Sequence, residues 1–390
     1  MNVPKLRFKE FTGEWEELPA KEIFENISEK NFPNETVLTI IQGFGTVPRS
    51  ESGRDISFDK SSTNNYKRVL KNDFIIHLRS FEAGLEIANS SGIVSPAYTI
   101  LRSKKDIGVS FYRNYFRSNK FINQTLCFAV EGVRDGRQIR FEQFRNIPLI
   151  HTRLEEQKKI SAFLDIVDEK IKNQKAIVES LEKQKKALMQ KVFSQELRFK
   201  DEDGNDFPAW EEKKLGEVGE ITTGKTPDTN NEAYWNGTIQ FITPMDMDGS
   251  KYLRTTARSV TGKVKYATLN VGTVMVTCIG ATIGKMAITT SDAITNQQIN
   301  SFYSVTENNE FVYYALLNIV PQIRNLKSSS TMPILNKSEF SALKIEFPCV
   351  NEQNKIAGIL SLFDKKIEKE KSSLEHWQQI KKGLLQQMFV

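Results

Sequence analysis

A fifty-residue segment of this chain recurs in diverged form, and that repeat constrains the fold more than any other feature. Residues 144–193 return as residues 340–389 without a gap, at an offset of 196 at both ends (340 − 144 and 389 − 193). Sixteen positions are identical in register, among them Glu156/Glu352, Gln157/Gln353, Ile160/Ile356, Leu164/Leu360, Asp168/Asp364, Ile171/Ile367 and Phe193/Phe389. A second echo is shorter. Leu6-Arg7-Phe8-Lys9 and Trp15-Glu16-Glu17 return as Leu197-Arg198-Phe199-Lys200 and Trp210-Glu211-Glu212. In mid-chain this short motif follows the first long repeat directly, whereas at the start nothing precedes it. A circular arrangement accounts for this: the end of the second long repeat returns to the N-terminal segment, and the chain has a pseudo-two-fold axis.

Both long repeats have a heptad period. The a and d positions of the first are Ile160, Leu164, Val167, Ile171, Gln174, Val178, Leu181, Lys185, Leu188 and Val192. Those of the second are Ile356, Leu360, Phe363, Ile367, Glu370, Leu374, Trp377, Lys381, Leu384 and Met388. Eight of ten are apolar in each, and the polar exceptions fall in the same two slots. An apolar seam of period 3.5 sustained this long predicts coiled-coil helices rather than two short amphipathic ones. The pseudo-two-fold predicts that they pack antiparallel.

Two blocks of similar length, roughly residues 19–150 and 213–343, lie between these repeats and lack their mutual similarity. In the first, Val37–Gln42, Asp73–Leu78, Ala97–Leu101 and Leu126–Val130 read as strands, and Ile107–Arg117 reads as helix. In the second, Ile239–Thr243, Thr273–Ile279, Lys285–Thr289 and Ile299–Val305 read as strands. Phe311–Leu326 reads as helix apart from Pro321. The predicted fold class is α+β, with two α/β-type heads separated by two long helices. The predicted domains are 1–150, 151–196, 197–346 and 347–390. Two like spacers carrying two unlike heads make the heads the parts that discriminate.

The chain has 390 residues and a net charge of +6, which suits a polyanionic partner through counterion release. No apolar run is long enough to span a bilayer and no signal-peptide core follows Met1, so the expected location is the cytoplasm. Three scattered cysteines (Cys127, Cys278, Cys349) and three scattered histidines (His77, His151, His376) predict neither a disulfide framework nor a metal site.

The sequence carries little that resembles a catalytic motif. Gly219 through Gly224-Lys225-Thr226 spells a phosphate-binding loop letter for letter. Such a loop, however, must join a buried strand to a helix whose N-terminus faces the phosphates. Here Glu211–Gly216 is no buried strand, and Pro227-Asp228-Thr229-Asn230-Asn231 is turn chemistry. The expected role is a Gly/Pro-rich turn, with contact of Lys225 and Thr226 to DNA phosphate as the alternative. An adenine methyltransferase needs an Asn/Asp-Pro-Pro-aromatic motif; Ser95-Pro96-Ala97-Tyr98 lacks the second proline, and no glycine-rich cofactor loop accompanies it. No nuclease-like cluster of carboxylates stands out, so no catalytic residue is assigned.

The sequence resembles the specificity subunit of type I restriction–modification systems over essentially its whole length. The resemblance is carried by Leu154-Glu155-Glu156-Gln157-Lys158-Lys159-Ile160, by Val350-Asn351-Glu352-Gln353-Asn354-Lys355-Ile356, and by the Trp15-Glu16-Glu17 and Trp210-Glu211-Glu212 entries. Gly224-Lys225-Thr226-Pro227, Tyr234-Trp235-Asn236-Gly237, Phe241-Ile242-Thr243-Pro244, and Ile279–Lys285 with Asn296-Gln297-Gln298 look like a common second-head type. Pro348 fits the proline usual before the Glu-Gln pair, but Thr152 stands there in the first repeat, so the two linkers are expected to differ. The resemblance implies two target-recognition domains, each reading half of a bipartite DNA target, on helices that set the spacing and dock methyltransferase subunits. It implies two methyltransferase subunits as partners and, for cleavage, restriction subunits. S-adenosylmethionine, ATP and Mg would belong to those partners, and this chain would hold no cofactor. Without the resemblance, a coiled-coil scaffold or a self-contained methyltransferase or nuclease stays open.

Base edges are read by Arg, Lys, Asn, Gln, Ser and Thr, and phosphates by Lys and Arg. On that chemistry the candidate DNA contacts of the first head are Arg79, Ser80, Arg134, Arg137, Gln138 and Arg140, in Gly-bearing segments. Those of the second are Lys225, Thr226, Thr277, Thr282, Lys285, Asn296, Gln297, Gln298 and Thr331.

Overall fold

A computed structural model describes residues 2–53, 60–132, 137–327 and 334–389. The chain forms two compact units, Met1–Lys175 with Ser372–Val390, and Ala176–Lys371. The two long repeats are helical over Leu154–Phe193 and Val350–Met388. The unit boundaries fall inside these helices, after Lys175 and after Lys371, which are equivalent positions of the repeat.

In the first unit the start of the first long helix packs antiparallel on the end of the second. Ile160 and Leu164 share a core with Leu384, Leu385, Met388 and Phe389, and Lys381 Nζ lies 2.5 Å from Asp168 Oδ1. The second unit repeats this with the helices exchanged. Ile356, Ala357 and Leu360 share a core with Met189 and Val192, and Lys185 Nζ lies 2.5 Å from Asp364 Oδ1. The polar seam slots at Lys185 and Lys381 are thus ion pairs to the repeated aspartates.

The circular closure is present as a hydrogen bond within the first unit. The Leu6 amide donates to the Gln387 carbonyl at 2.9 Å, as the Leu197 amide donates to Lys191 at 3.0 Å in the second. The short echo follows from the same chemistry. Arg7 forks onto Glu156 at 2.7 and 2.9 Å, and Arg198 forks onto Glu352 at 2.8 Å twice. Trp210 Nε1 also donates to Glu352. Both glutamates are fully buried, so each needs its arginine to offset desolvation. Burial pushes the Glu156 carboxyl up. Hydrogen bonds from Arg7 and Thr152 outweigh that and hold it below the usual carboxylate range. The linkers before these glutamates keep one contact in common: Gln157 donates to the Thr152 carbonyl and Gln353 to that of Pro348. The linkers differ at the Thr152 hydroxyl, which donates to Glu156, and in the second contact of each glutamine, His151 for Gln157 and Glu307 for Gln353.

Each head enters and leaves through one antiparallel strand pair. Glu16–Pro19 pairs with Pro148–His151, and Glu211–Lys214 pairs with Lys344–Phe347. The first head carries a four-stranded sheet in the order Phe24–Ile27, Thr99–Ser103, Phe74–Ile76, Glu86–Ile87. Its helix Val109–Tyr115 lies in an aromatic core with Phe24, Phe74, Phe116 and Phe121. The second head carries a five-stranded sheet in the order Glu220–Thr223, Ile299–Tyr303, Val274–Thr277, Met286–Thr289, Tyr252–Leu253, beside a three-stranded one centred on Trp235–Ile242. The last residue of each long repeat plugs the core of a head. Phe389 meets Trp15, Phe111 and Tyr115, and Phe193 meets Trp210 and Phe311.

Two predicted elements are corrected. Leu126–Val130 is not a strand: Leu126–Ala129 is a 3-10 turn following a π turn, and only Val130 begins a two-residue strand. An apolar run this short suits a buried helical turn as well as a strand. The helix Asn309–Lys327 runs on through Pro321, where loss of one backbone bond does not end it.

Candidate nucleic-acid interface

Three loops of the second head meet where its sheets end. The strand Glu220–Thr223 runs into Gly224, whose amide donates to the Ile299 carbonyl. A Cβ at Gly224 would stand 2.2 Å from Thr295 Oγ1 and 2.3 Å from the Asn296 carbonyl. Glycine thus lets the Lys225–Thr226 loop lie against the Asn296–Gln298 loop. Thr226 Oγ1 donates to Gln297 Oε1 at 2.7 Å, and Asn296 Nδ2 donates to Gln298 Oε1 at 3.0 Å. The Cys278 amide donates to the Gln298 carbonyl, tying in the turn between Val274–Thr277 and Met286–Thr289. That turn uses Gly280 and Gly284 at φ of 81° and 83°, which glycine adopts without steric cost.

The loops present their candidate residues differently. Lys225, Lys285 and Gln297 are exposed, and Thr226, Thr282 and Gln298 are half-buried. Lys285 Nζ is 3.2 Å from the Met247 carbonyl. Thr277 is fully buried with its hydroxyl 3.5 Å from Met247 Sδ, and Asn296 is buried with its side chain in the loop. These two shape the loops from within. Thr331 lies outside the described residues. No helix begins at Thr226; the next helical residues are the single turn Glu232–Tyr234.

Sequence reasoning missed the neighbours of Lys225. Its ammonium lies 5.3 Å from the centre of the Tyr266 ring. Both border a recess of about 310 Å³, together with Lys265, Thr222, Thr223 and Thr295. Arg258 stacks 3.5 Å over Trp235. The signal available was the alternation Lys263-Val264-Lys265-Tyr266, which places base and aromatic side by side without saying what they face.

In the first head the short helix Ser80–Ala83 packs beside the strand Gln138–Ile139, bringing Arg79, Arg137, Gln138 and Arg140 to one edge. All four are exposed. The Arg137 guanidinium lies 4.2 Å over the Phe81 ring and 3.7 Å from Glu82, and Arg140 lies 3.9 Å from Glu131. Ser80 is fully buried and its hydroxyl accepts from the His77 amide at 2.8 Å. Arg134 lies outside the described residues.

Among the described residues no three His, Cys, Asp or Glu side chains converge as a metal site requires. No helix among them is long and apolar enough to cross a membrane.

Each unit thus carries one head on equivalent ends of the two long helices. Residues 209–376 match the type I restriction modification DNA specificity domain. The type I restriction enzyme MjaIX specificity subunit of Methanocaldococcus jannaschii is 32% identical over 211 residues, 51% of this chain and 48% of that protein. The chain thus spans about half the length of that relative. The MjaVIII specificity subunit of the same organism is 25% identical over 97% of this chain and 94% of its own length. The crystal structure of the type I restriction–modification S subunit from M. genitalium covers all of this chain and 99% of its own, with a TM-score of 0.60 at 18% identity. That likeness is one of fold. Residues 209–376 thus match that specificity domain, and the chain as a whole is similar to type I specificity subunits.

Proposed function

We propose that this chain selects the DNA target of a type I restriction–modification enzyme and carries out no chemistry itself. Each head reads one half of a bipartite target, and the long helices set the spacing and dock the catalytic partners. Two methyltransferase subunits transfer the methyl group of S-adenosylmethionine to adenine N6, and ATP-driven restriction subunits supply cleavage with Mg. The observation that carries this reading is the pair of unlike heads, each closed by an equivalent strand pair on an equivalent helix start. Selection resides in what differs, and assembly in what repeats. The exposed Lys225, Lys285 and Gln297 of the second head and the Arg79, Arg137, Gln138 and Arg140 edge of the first supply the donors for phosphate and base contact. The partly buried Thr226, Thr282 and Gln298 hold those loops in shape. Ser80, Thr277 and Asn296 support them from inside.

Electrophoretic shift with target and random duplex over a salt series tests this reading. Lys225→Ala weakens binding to both duplexes alike and lowers the salt slope by about 1. Gln297→Ala costs about 1–3 kcal/mol on the target alone. Methyl transfer by the isolated, homogeneous chain supplied with S-adenosylmethionine would refute the proposal.

A further inference from the structure

The two joints between head and long helix are equivalent residue by residue, and at one pair of positions their chemistry is exchanged. The register is set by two shared contacts. Gln157 accepts from the Gly108 amide at 2.8 Å, and Gln353 accepts from the Asn308 amide at 2.9 Å. Phe111 meets Phe389 as Phe311 meets Phe193. Head positions therefore correspond at an offset of 200 (308 − 108, 311 − 111) and helix positions at 196. Ser110 thus corresponds to Glu310, and Asp165 to Ser361.

In the first joint the hydroxyl is on the head and the carboxylate on the helix: Ser110 Oγ donates to Asp165 Oδ1 at 2.7 Å. In the second the carboxylate is on the head and the hydroxyl on the helix: Ser361 Oγ donates to Glu310 Oε2 at 2.5 Å. In each case the head supplies a cation for the carboxylate. Arg113 lies 2.6 Å from Asp165 and 3.4 Å from Asp168. Lys251, buried, lies 2.8 Å from Glu310, 2.7 Å from Ser361 and 3.0 Å from the Tyr314 hydroxyl. The neighbouring layer does not change: Asp168 with Lys381 and Asp364 with Lys185 are the same residues at the same places.

We infer that positions 110/310 and 165/361 form a key that matches each head to its own helix start. The second joint holds one carboxylate from the head and one buried ammonium, and Asp364 beside them is already occupied by Lys185 and the Tyr314 hydroxyl. A second carboxylate at 361 would face Glu310, which already accepts from Lys251 and the Tyr252 hydroxyl, and like charges held this close oppose each other. A head of the first type brings a serine and an arginine instead, and leaves that arginine short of one acceptor unless position 361 is acidic. The unit that can be exchanged between the two positions is therefore the head together with this helix residue. This holds whatever the heads recognise.

The test is the sign of one substitution in two full-length proteins. Ser361→Asp is placed in the parent chain, and also in a chain whose residues 211–347 are replaced by a copy of residues 16–151. We expect it to lower the melting temperature of the parent by about 2–4 °C or more and to raise that of the chimera by about 2–4 °C. A parent double-mutant cycle gives a second reading should the chimera fail to fold. Glu310→Ser and Ser361→Asp each destabilise alone, and together they restore part of the loss, because the serine–aspartate bond of the first joint is re-formed with Lys251 as its cation. The same sign in both proteins, or losses that simply add in the cycle, would overturn the key.

Discussion

Inserting one heptad after Gln174 and one after Glu370 lengthens the non-specific gap of the DNA target and leaves its specific letters unchanged. Both sites are equivalent seam positions of the repeat, so seven residues at each keep the apolar period in register. Seven residues add about 10.5 Å of helix at ~1.5 Å each. At about 3.4 Å per base step, the gap grows by about three base pairs. From Ile160 to Val192, and from Ile356 to Met388, each seam runs 32 steps, or about 48 Å. Two recognition elements on one face of B-DNA stand ~34–36 Å apart, so helices of this length suit a split target. Sequencing of methylated sites reads the gap directly. A gap that kept its length would make the helices packing surfaces for partners and not a ruler.

Glu352→Ala destabilises its unit by about 3–5 kcal/mol, the cost of removing one partner of a buried ion pair. Arg198 loses both forked bonds, and the Trp210 indole N–H loses its acceptor. Glu156→Ala acts alike in the first unit through Arg7. Glu156 adds a pH signature. Its folded value lies below its unfolded one, so its contribution is present in full above the ordinary glutamate value of about 4.3. The contribution is lost as pH falls through the folded value. Differential scanning calorimetry across pH 3–7 should therefore show a smaller acid loss in Glu156→Gln than in the parent. Equal acid sensitivity would place the titration elsewhere.

The frame of this protein is legible in its sequence because the same physical demands are written twice. Glu156 and Glu352 are buried, so each needs an arginine, and the recurrence of Arg7 and Arg198 follows. The return of the chain end to Leu6 could be inferred for the same reason. The heads are less legible. Leu126–Ala129 reads as a strand because an apolar run carries no period of its own. Pro321 marks a helix end by rule, yet Asn309–Lys327 continues through it. The candidate contact residues are hardest to read: Ser80, Thr277 and Gln297 all carry polar groups able to hydrogen-bond a base edge, and only tertiary packing turns the first two inward and the third toward solvent. The exchanged joint is invisible in an alignment at one offset, because helix positions repeat at 196 and head positions at 200.

Mapping methylated adenines genome-wide most directly tests whether this chain chooses the target. Three strains suffice: one carrying the chain, one lacking it, and one in which residues 19–150 are replaced by the first head of a relative. The expected result is a split motif that disappears with the chain and changes in one half only after the replacement. A motif that persists without the chain, or a replacement that alters both halves or neither, would contradict the account.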